Sequence, residues 1–383
     1  MKEIMATRKH KIGSVWLMER DIEILELLFQ YRALLPEQLA DFYGISVEVM
    51  RKRMNKLCNI ELIMKKQLKG YRVDQSRQGV VYFIATQGLK VLRNNPPSVG
   101  KLGEKLLLFN VSNIRVSERH LPYVLTANDL GLELQNFDWE YVDSRVAKEQ
   151  FGFNRNLLLH ALFRDVEGRE MFYYGFKSKL NKRTSLLVAN EIADTSQIQN
   201  VLITTKGIKA TEMIHEYSNP LRISDKTIYV TSNVISLKVM DFDFAKLYFS
   251  CFTDDESVIE FVATTYPKWL TLDPDWLSKK NMPYLNTVAN INIYNQHQQL
   301  VDSQKAYIIN MLDVDLVKIK AVQQYTVYEK EREKLNVLLL VTEHQKPIVE
   351  KYFTGEGYLH IQYFVIPNAH IERYRDEFYE MDE

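Results

Sequence analysis

The chain has 383 residues, 46% of them hydrophobic and 26% charged, a composition that fills two or three ordinary cores and excludes a disordered chain. No stretch of 18 apolar residues occurs, and the basic start MKEIMATRKHKIG lacks an apolar segment, so neither a transmembrane helix nor a signal peptide is expected and a cytoplasmic protein is. Net charge is zero, yet residues 1–115 hold 20 Lys and Arg against 11 Asp and Glu, which leaves 29 against 38 in the remainder: a basic head on an acidic body, and basic heads meet polyanions.

In the head, ERDIEILELLFQYRA places Ile22, Leu25, Leu28 and Phe29 on one helical face, with Glu19 and Asp21 at its N-terminus. LLPEQLADFYG follows, with Pro36 at a helix start and Gly44 at its end. Ser46 then caps VEVMRKRMNKL, where Met50, Met54 and Leu57 recur at i, i+4 and i+7 as the inward stripe. Glu48, Arg51, Lys52, Asn55 and Lys56 project outward from it, and Arg53 adds a fourth cation. Residues 62–68 and 80–85 read as two strands joined by a loop carrying Lys69, Gly70, Arg72, Arg77 and Gly79. TQGLKVLRNN reads as a short helix and NNPPSVG as a linker.

Three helices, a hairpin and a helix are the order of a winged helix-turn-helix. Its third helix enters the major groove and its hairpin wing touches the backbone. Ser46, Arg51, Lys52, Arg53, Asn55, Lys56, Lys69, Arg72 and Arg77 are the candidate contacts to double-stranded DNA. Cations on such a helix neutralise phosphates; Asn55 has the chemistry of an adenine edge and Arg51 that of guanine. The bland alternative is a solvated helix face. The cap, the turn, the stripe and the basic wing agree with one another and favour the first reading.

In the body, RHLPYVLTANDLGLELQ reads as a helix with an apolar side. RNLLLHALFRD, GREMFYYGFKS, NVLITTKG and KTIYVTS read as strands, with TSLLVANEIADTSQI and KATEMIHEYSN as helices between them. A second pass has SQKAYIINMLDVD as a strand, LVKIKAVQQYTVYEKEREKL as one long helix, then NVLLLVT, HQKPIVEKYF and IQYFVIP as strand, helix and strand. Asn200–Tyr217 and Asn336–Phe353 share a strand-then-helix pattern, so the body reads as two α/β units from a duplication or from convergence.

The expected fold is therefore an α+β N-terminal winged helix-turn-helix followed by an α/β body, in domains 1–98, 99–250 and 251–383. The body's topology admits two degenerate restriction-endonuclease-like units. Gly175 or Phe176 stands where such a nuclease needs a carboxylate, and His160 falls near the first acidic position, which removes hard oxygen ligands. Asp313, Asp315 and Lys318 do not have the nuclease spacing, and the aspartates, at a strand end before a helix, read as helix caps. No catalytic residue, metal or cofactor is expected. His120, His160 and His215 read as structural, Cys58 and Cys251 as reduced buried thiols, and the stretch with Tyr266, Trp269, Trp276 and Tyr284 as packing rather than an interaction surface.

The stretches RDIEILELLFQYRALLPEQLADFYG, VMRKRMNKLCNIELIMKK, VYFIATQGLKVL and RHLPYVLTANDLGLELQ resemble the replication-relaxation family of plasmid and mobile-element proteins, over roughly residues 18–235. In the last stretch His120, Asn128 and Asp129 match the family's histidine, then apolar pair, then Asn-Asp on a helix. NLLLHALF and GFKSK depart from the family's Pro-Asp and Glu-x-Asp. The resemblance implies a DNA-binding protein of replication or of DNA relaxation and transfer (conjugation), with a degenerate nuclease-like module after the head. A homodimer and a relaxase or replication protein are the partners it points to. The alternatives are a transcriptional regulator with a sensing or oligomerisation body, and a metal-dependent nuclease.

Overall fold

The computed structural model describes residues 10–12, 15–72, 78–94, 110–176, 182–205, 233–272, 287–294, 300–325 and 327–381. They form a mixed α/β protein whose contacts divide it into two compact units, Met1–Glu167 and Gly168–Glu383.

The first unit begins with a short antiparallel pair, β1 (His10–Ile12) and β2 (Val15–Leu17). Three helices follow: α1 (Glu19–Gln30), α2 (Pro36–Phe42) and α3 (Val47–Asn59). In α1 the buried face is Ile24, Leu25, Leu27, Leu28 and Phe29; Ile22 lies half-buried at the edge of that stripe. The long antiparallel strands β3 (Ile63–Arg72) and β4 (Gln78–Ile84) come next, then α4 (Thr86–Asn94). Leu34, in the turn between α1 and α2, exchanges both backbone hydrogen bonds with Tyr82 at 3.1 and 2.9 Å, so it acts as a third, one-residue strand beside β4. Gly88 lets α4 lie directly on the chain: a Cβ there would stand 2.2 Å from the Leu62 carbonyl oxygen.

Beyond residue 109 the unit continues with α5 (Val111–Ile114), α6 (Leu121–Leu134), β5 (Glu140–Asp143), α7 (Ser144–Gln150) and β6 (Ala161–Arg164). Of the expected strand RNLLLHALFRD only Ala161–Arg164 is strand. Helix α6 closes the apolar side of the β3–β4 pair: Leu121, Val124 and Leu125 share one buried cluster with Ala33, Leu35, Leu68, Val81 and Phe83. Its polar residues tie it further. Asn128 Nδ2 donates to the Tyr31 and Ala33 carbonyls at 3.0 and 2.6 Å, and its Oδ1 accepts from Tyr141 at 2.9 Å. Gln38 Nε2 donates to the Leu125 carbonyl at 2.9 Å and to Asp129 Oδ1 at 2.5 Å. Arg32, at φ 68°, donates to the Ile114 and Arg115 carbonyls and pairs with Asp143 at 3.4 Å. These bonds explain why the compact division falls at 167/168 and not at 98/99: residues 110–167 share their core and buried polar groups with the helices at 19–59.

The second unit holds two sets of parallel strands. β7 (Glu170–Phe176), β8 (Asn200–Thr205) and β9 (Ser236–Asp241) are neighbours in chain order, with α8 (Lys182–Asp194) between the first two. β9 runs straight into α9 (Phe242–Cys251), capped by Asp241, and α10 (Asp255–Thr265) follows. A boundary at 250/251 would cut α9 one residue before its end. The other set lies in a five-stranded sheet of β10 (Leu270–Leu272), β11 (Val288–Tyr294), β12 (Leu300–Asn310), β13 (Asn336–Thr342) and β14 (Ile361–Ile366). β10, β11 and β12 pair antiparallel; β12, β13 and β14 pair parallel. Strand β12 is solvent-facing over its first half, beside β11, and buried over its last five residues, beside β13.

The expected long helix at 316–335 is two, α11 (Leu316–Gln324) and α12 (Val327–Glu333). Tyr325 is buried between them and donates to the Leu335 carbonyl, so the chain turns there to keep the ring inside. α13 (Lys346–Glu350) and α14 (Asn368–Met381) complete the unit. β8 and β13, the strands of the expected repeat, are each the middle of a parallel triplet. That is why both read as continuous apolar runs. Each triplet's third strand leads into a helix, and those helices, α9 and α14, pack together through Phe252 and Tyr374, stacked at 5.8 Å. Residues 206–232, which include both KATEMIHEYSN and KTIYVTS, lie outside the described residues, as does the NNPPSVG stretch after Asn94.

Candidate functional site

The basic helix α3 is seated by a turn whose chemistry is complete. Gly44 at φ 61° takes the left-handed position that ends α2. Its N–H bonds to the Asp41 carbonyl at 3.2 Å and the Ile45 N–H to the Ala40 carbonyl at 3.0 Å, the two bonds of a Schellman cap. Two residues on, Ser46 Oγ accepts from the Val49 N–H at 3.3 Å and caps α3. Met50, Met54 and Leu57 are fully buried, as the i, i+4, i+7 spacing requires.

The four cations of α3 divide into two pairs. Arg53 Nε donates to Asp21 Oδ1 at 2.8 Å, and Asp21 is buried on α1, where its other oxygen accepts from the Met18 N–H at 2.8 Å. Arg51 bonds Glu37 on α2. The two arginines thus tie α3 to the helices that flank it. Lys52 and Lys56 stand out in solvent: Lys52 pairs with Glu48 one turn away at 3.3 Å, with both side chains more than three-quarters exposed. Glu48, Val49, Lys52, Asn55, Lys56 and Asn59 form one continuous exposed face opposite the methionine stripe.

Strand β3 adds to this face. Lys65 Nζ donates to Asn55 Oδ1 at 3.2 Å, and Lys66 pairs with Glu118 at 2.5 Å. Lys69 and Arg72 lie within β3, which runs four residues further than expected, and Gly79 lies in β4; neither cation is in a loop. Arg77 falls among residues 73–77, outside the described residues. Sequence reasoning did not single out Lys65, the residue that meets Asn55. Its signal was a strand that starts directly after a basic helix, which returns along that helix's flank.

Of the three residues that carry the resemblance, Asn128 and Asp129 serve the joint between α6 and the chain before it. Asn128 and Asp129 hold it through the bonds given above; His120 Nδ1 lies 3.1 Å from Ser117 Oγ next to the start of α6. Burial, then Lys148, Arg119 and Arg32, lower the His120 pKa. His160 is buried, stacks on Tyr123 at 4.8 Å, and is pushed down to about 3, first by burial and then by Lys148 and His120. It is a neutral packed ring across the physiological range. His215 lies outside the described residues. The thiols Cys58 and Cys251 are half-buried, not fully buried as expected; burial raises both pKa values, Cys251 to about 11.

In the second unit a buried ionic cluster occupies the carboxyl end of β12. Lys318 Nζ donates to Asp313 Oδ2 at 2.8 Å, Asp255 Oδ1 at 2.5 Å and the Asn310 carbonyl at 3.2 Å. Lys238 Nζ donates to the same Asp313 oxygen at 2.8 Å. Asp315 caps α11, accepting from the Val317 N–H at 2.8 Å, and also receives Ser236 Oγ at 2.6 Å and the Leu237 N–H at 3.1 Å. Val314 between the aspartates has φ 45°, a strained value for a β-branched residue. Burial alone would raise the Asp313 pKa, but Lys238 and Lys318 overrule it and the net shift is downward. Among the described residues no group of three or more His, Cys, Asp or Glu side chains is placed to hold a metal ion. None of the described helices is long and apolar enough to cross a membrane. In the aromatic stretch, Tyr266 donates to or accepts from His370 Nδ1 at 2.5 Å and packs on Phe364; Trp269 is exposed, and Trp276 and Tyr284 lie outside the described residues.

Compared with known proteins, the chain matches no family model, no curated protein and no solved structure.

Proposed function

We propose that the protein is a sequence-specific double-stranded DNA-binding protein of a plasmid or other mobile element, acting in the cytoplasm as a non-enzymatic accessory factor in replication or DNA relaxation and transfer. In this reading residues 19–94 are a winged helix-turn-helix. The observation that carries it is the exposed face of α3: Lys52, Asn55 and Lys56, joined by Lys65 of β3, on a helix seated by the Gly44 turn and the Ser46 cap. The one-residue strand at Leu34 beside the β3–β4 hairpin supports the winged reading. Phosphates flank a helix lying in the major groove, so Lys52 and Lys56 neutralise them while the Asn55 amide reaches base edges. Arg51 and Arg53 position the helix. The mobile-element setting rests on the resemblance to the replication-relaxation family, and a homodimer with a relaxase or replication-protein partner belongs to the same reading.

Binding driven by these lysines is salt-dependent. The slope of log K against log salt is expected on the order of −4 to −8 for a dimer. An anisotropy titration with salt-insensitive affinity refutes the assignment of this face. The non-enzymatic part is supported by Asp313 and Asp315, whose oxygens bond lysines, backbone amides and Ser236. Magnesium or manganese with the purified protein should leave supercoiled and linear DNA intact.

A further inference from the structure

We infer that Asn55 and Lys65 act together as a guanine reader, and that Lys65 decides which base Asn55 recognises. The inference rests on the DNA-binding reading and deepens it. A lysine ammonium carries three donors and no acceptor, so the group of Asn55 that faces Lys65 Nζ at 3.2 Å has to be the amide oxygen. The amide's NH2 makes no hydrogen bond among the described residues.

An isolated asparagine recognises adenine because it offers one donor and one acceptor to the N7 and N6 amino group. In this protein one lone pair of that acceptor is taken by a cation, whose positive charge disfavours a second donor brought to the same side. What α3 and β3 jointly present is two donors side by side, the Asn55 NH2 and the Lys65 ammonium. Guanine's major-groove edge presents two acceptors, O6 and N7, and is the complement of that pair. Adenine's N6 amino group would instead face the ammonium, donor against donor. Arg51, the residue with the usual guanine chemistry, is held by Glu37 on α2, so the guanine contact moves to the helix–strand pair. Lys65 and Asn55 are both exposed, and Asn55 shares its helix face with Lys52 and Lys56, whose charges serve phosphates.

The test is selection from a library of random duplexes by the full chain, for the wild type, Asn55→Ala, Lys65→Met and Lys65→Arg. The base pair where Asn55→Ala abolishes the preference marks the contact. The wild type should select guanine there by roughly 5- to 150-fold over adenine. Lys65→Met frees the amide oxygen and should shift that position to adenine, while Lys65→Arg keeps guanine. Replacing the marked guanine by 7-deazaguanine should weaken the wild type, which needs N7 as an acceptor. Selection of adenine by the wild type, or guanine retained by Lys65→Met, overturns the proposal while DNA binding stands. Binding without any selected sequence also overturns it. Absence of duplex binding by the wild type removes the DNA reading itself.

Discussion

Arg53→Met and Lys52→Met separate the cations that seat α3 from those that it displays. Arg53 Nε is 2.8 Å from Asp21 Oδ1, and the Asp21 side chain is 3% exposed. Without the guanidinium this buried carboxylate keeps, among the described residues, only the Met18 N–H on its other oxygen. Removing one partner from a fully buried pair costs about 3–5 kcal/mol. Arg53 keeps 24% of its side chain in solvent, so screening lowers the expected loss to about 2–3 kcal/mol. Lys52 and Glu48 are 77% and 79% exposed, and breaking that pair costs ~0–0.5 kcal/mol. Urea unfolding measures both. With a slope of about 2 kcal/mol per molar, Arg53→Met should lower the midpoint of the first unit by roughly 1–1.5 M, and Lys52→Met should leave it in place. Duplex binding should give the complementary result: Lys52→Met weakens cognate and scrambled duplexes alike and lowers the salt slope by about 1. A wild-type unfolding midpoint for Arg53→Met, together with loss of duplex binding, would refute the reasoning. Arg53 would then be a contact to the nucleic acid, and the seat of α3 would lie elsewhere.

Lys318→Met leaves the Asp313 carboxylate buried with Lys238 alone, and should destabilise the second unit by about 3 kcal/mol, read as faster hydrogen exchange in β12 and α11; a wild-type exchange pattern counts against the cluster as a stabilising feature. The same cluster sets a pH window. The lowered Asp313 pKa contributes stability above the ordinary carboxylate range near pH 4 that is lost as pH falls through the folded value. The Lys238 pKa, which burial pushes down but Asp313, Asp315 and Asp255 raise overall, contributes stability below about pH 10.5 that is lost as pH rises through its folded value. Thermal scans across pH should show the acid limb flattened in Asp313→Asn. Gly88→Ala should cost about 1–3 kcal/mol despite the better helix propensity of alanine, because the new methyl meets the Leu62 carbonyl oxygen; a raised melting temperature would contradict that packing.

The local rules of the head were legible in the sequence because each depends on a few neighbouring residues. Gly44 as a left-handed turn, Ser46 as a cap, Pro36 at a helix start and the Met50, Met54, Leu57 stripe all follow from backbone geometry and helical period. Buried parallel strands such as β8 and β13 also announced themselves as apolar runs. The segments that escaped the reading lacked such a pattern: β5 is four residues long, and β9 carries Lys238, whose charge is inward because Asp313 and Asp315 meet it from 75 and more residues away. Tertiary structure alone decided which cations of α3 are displayed. Period predicts the outward side of a helix but not what stands beside its flanks. Glu37 and Asp21, 14 and 32 residues upstream, take Arg51 and Arg53 into the seat, and Lys65, 10 residues downstream, takes the oxygen of Asn55. An ion pair or amide bond between separate elements forms only where folding brings their side chains within about 3 Å, and no spacing within a single helix encodes that distance.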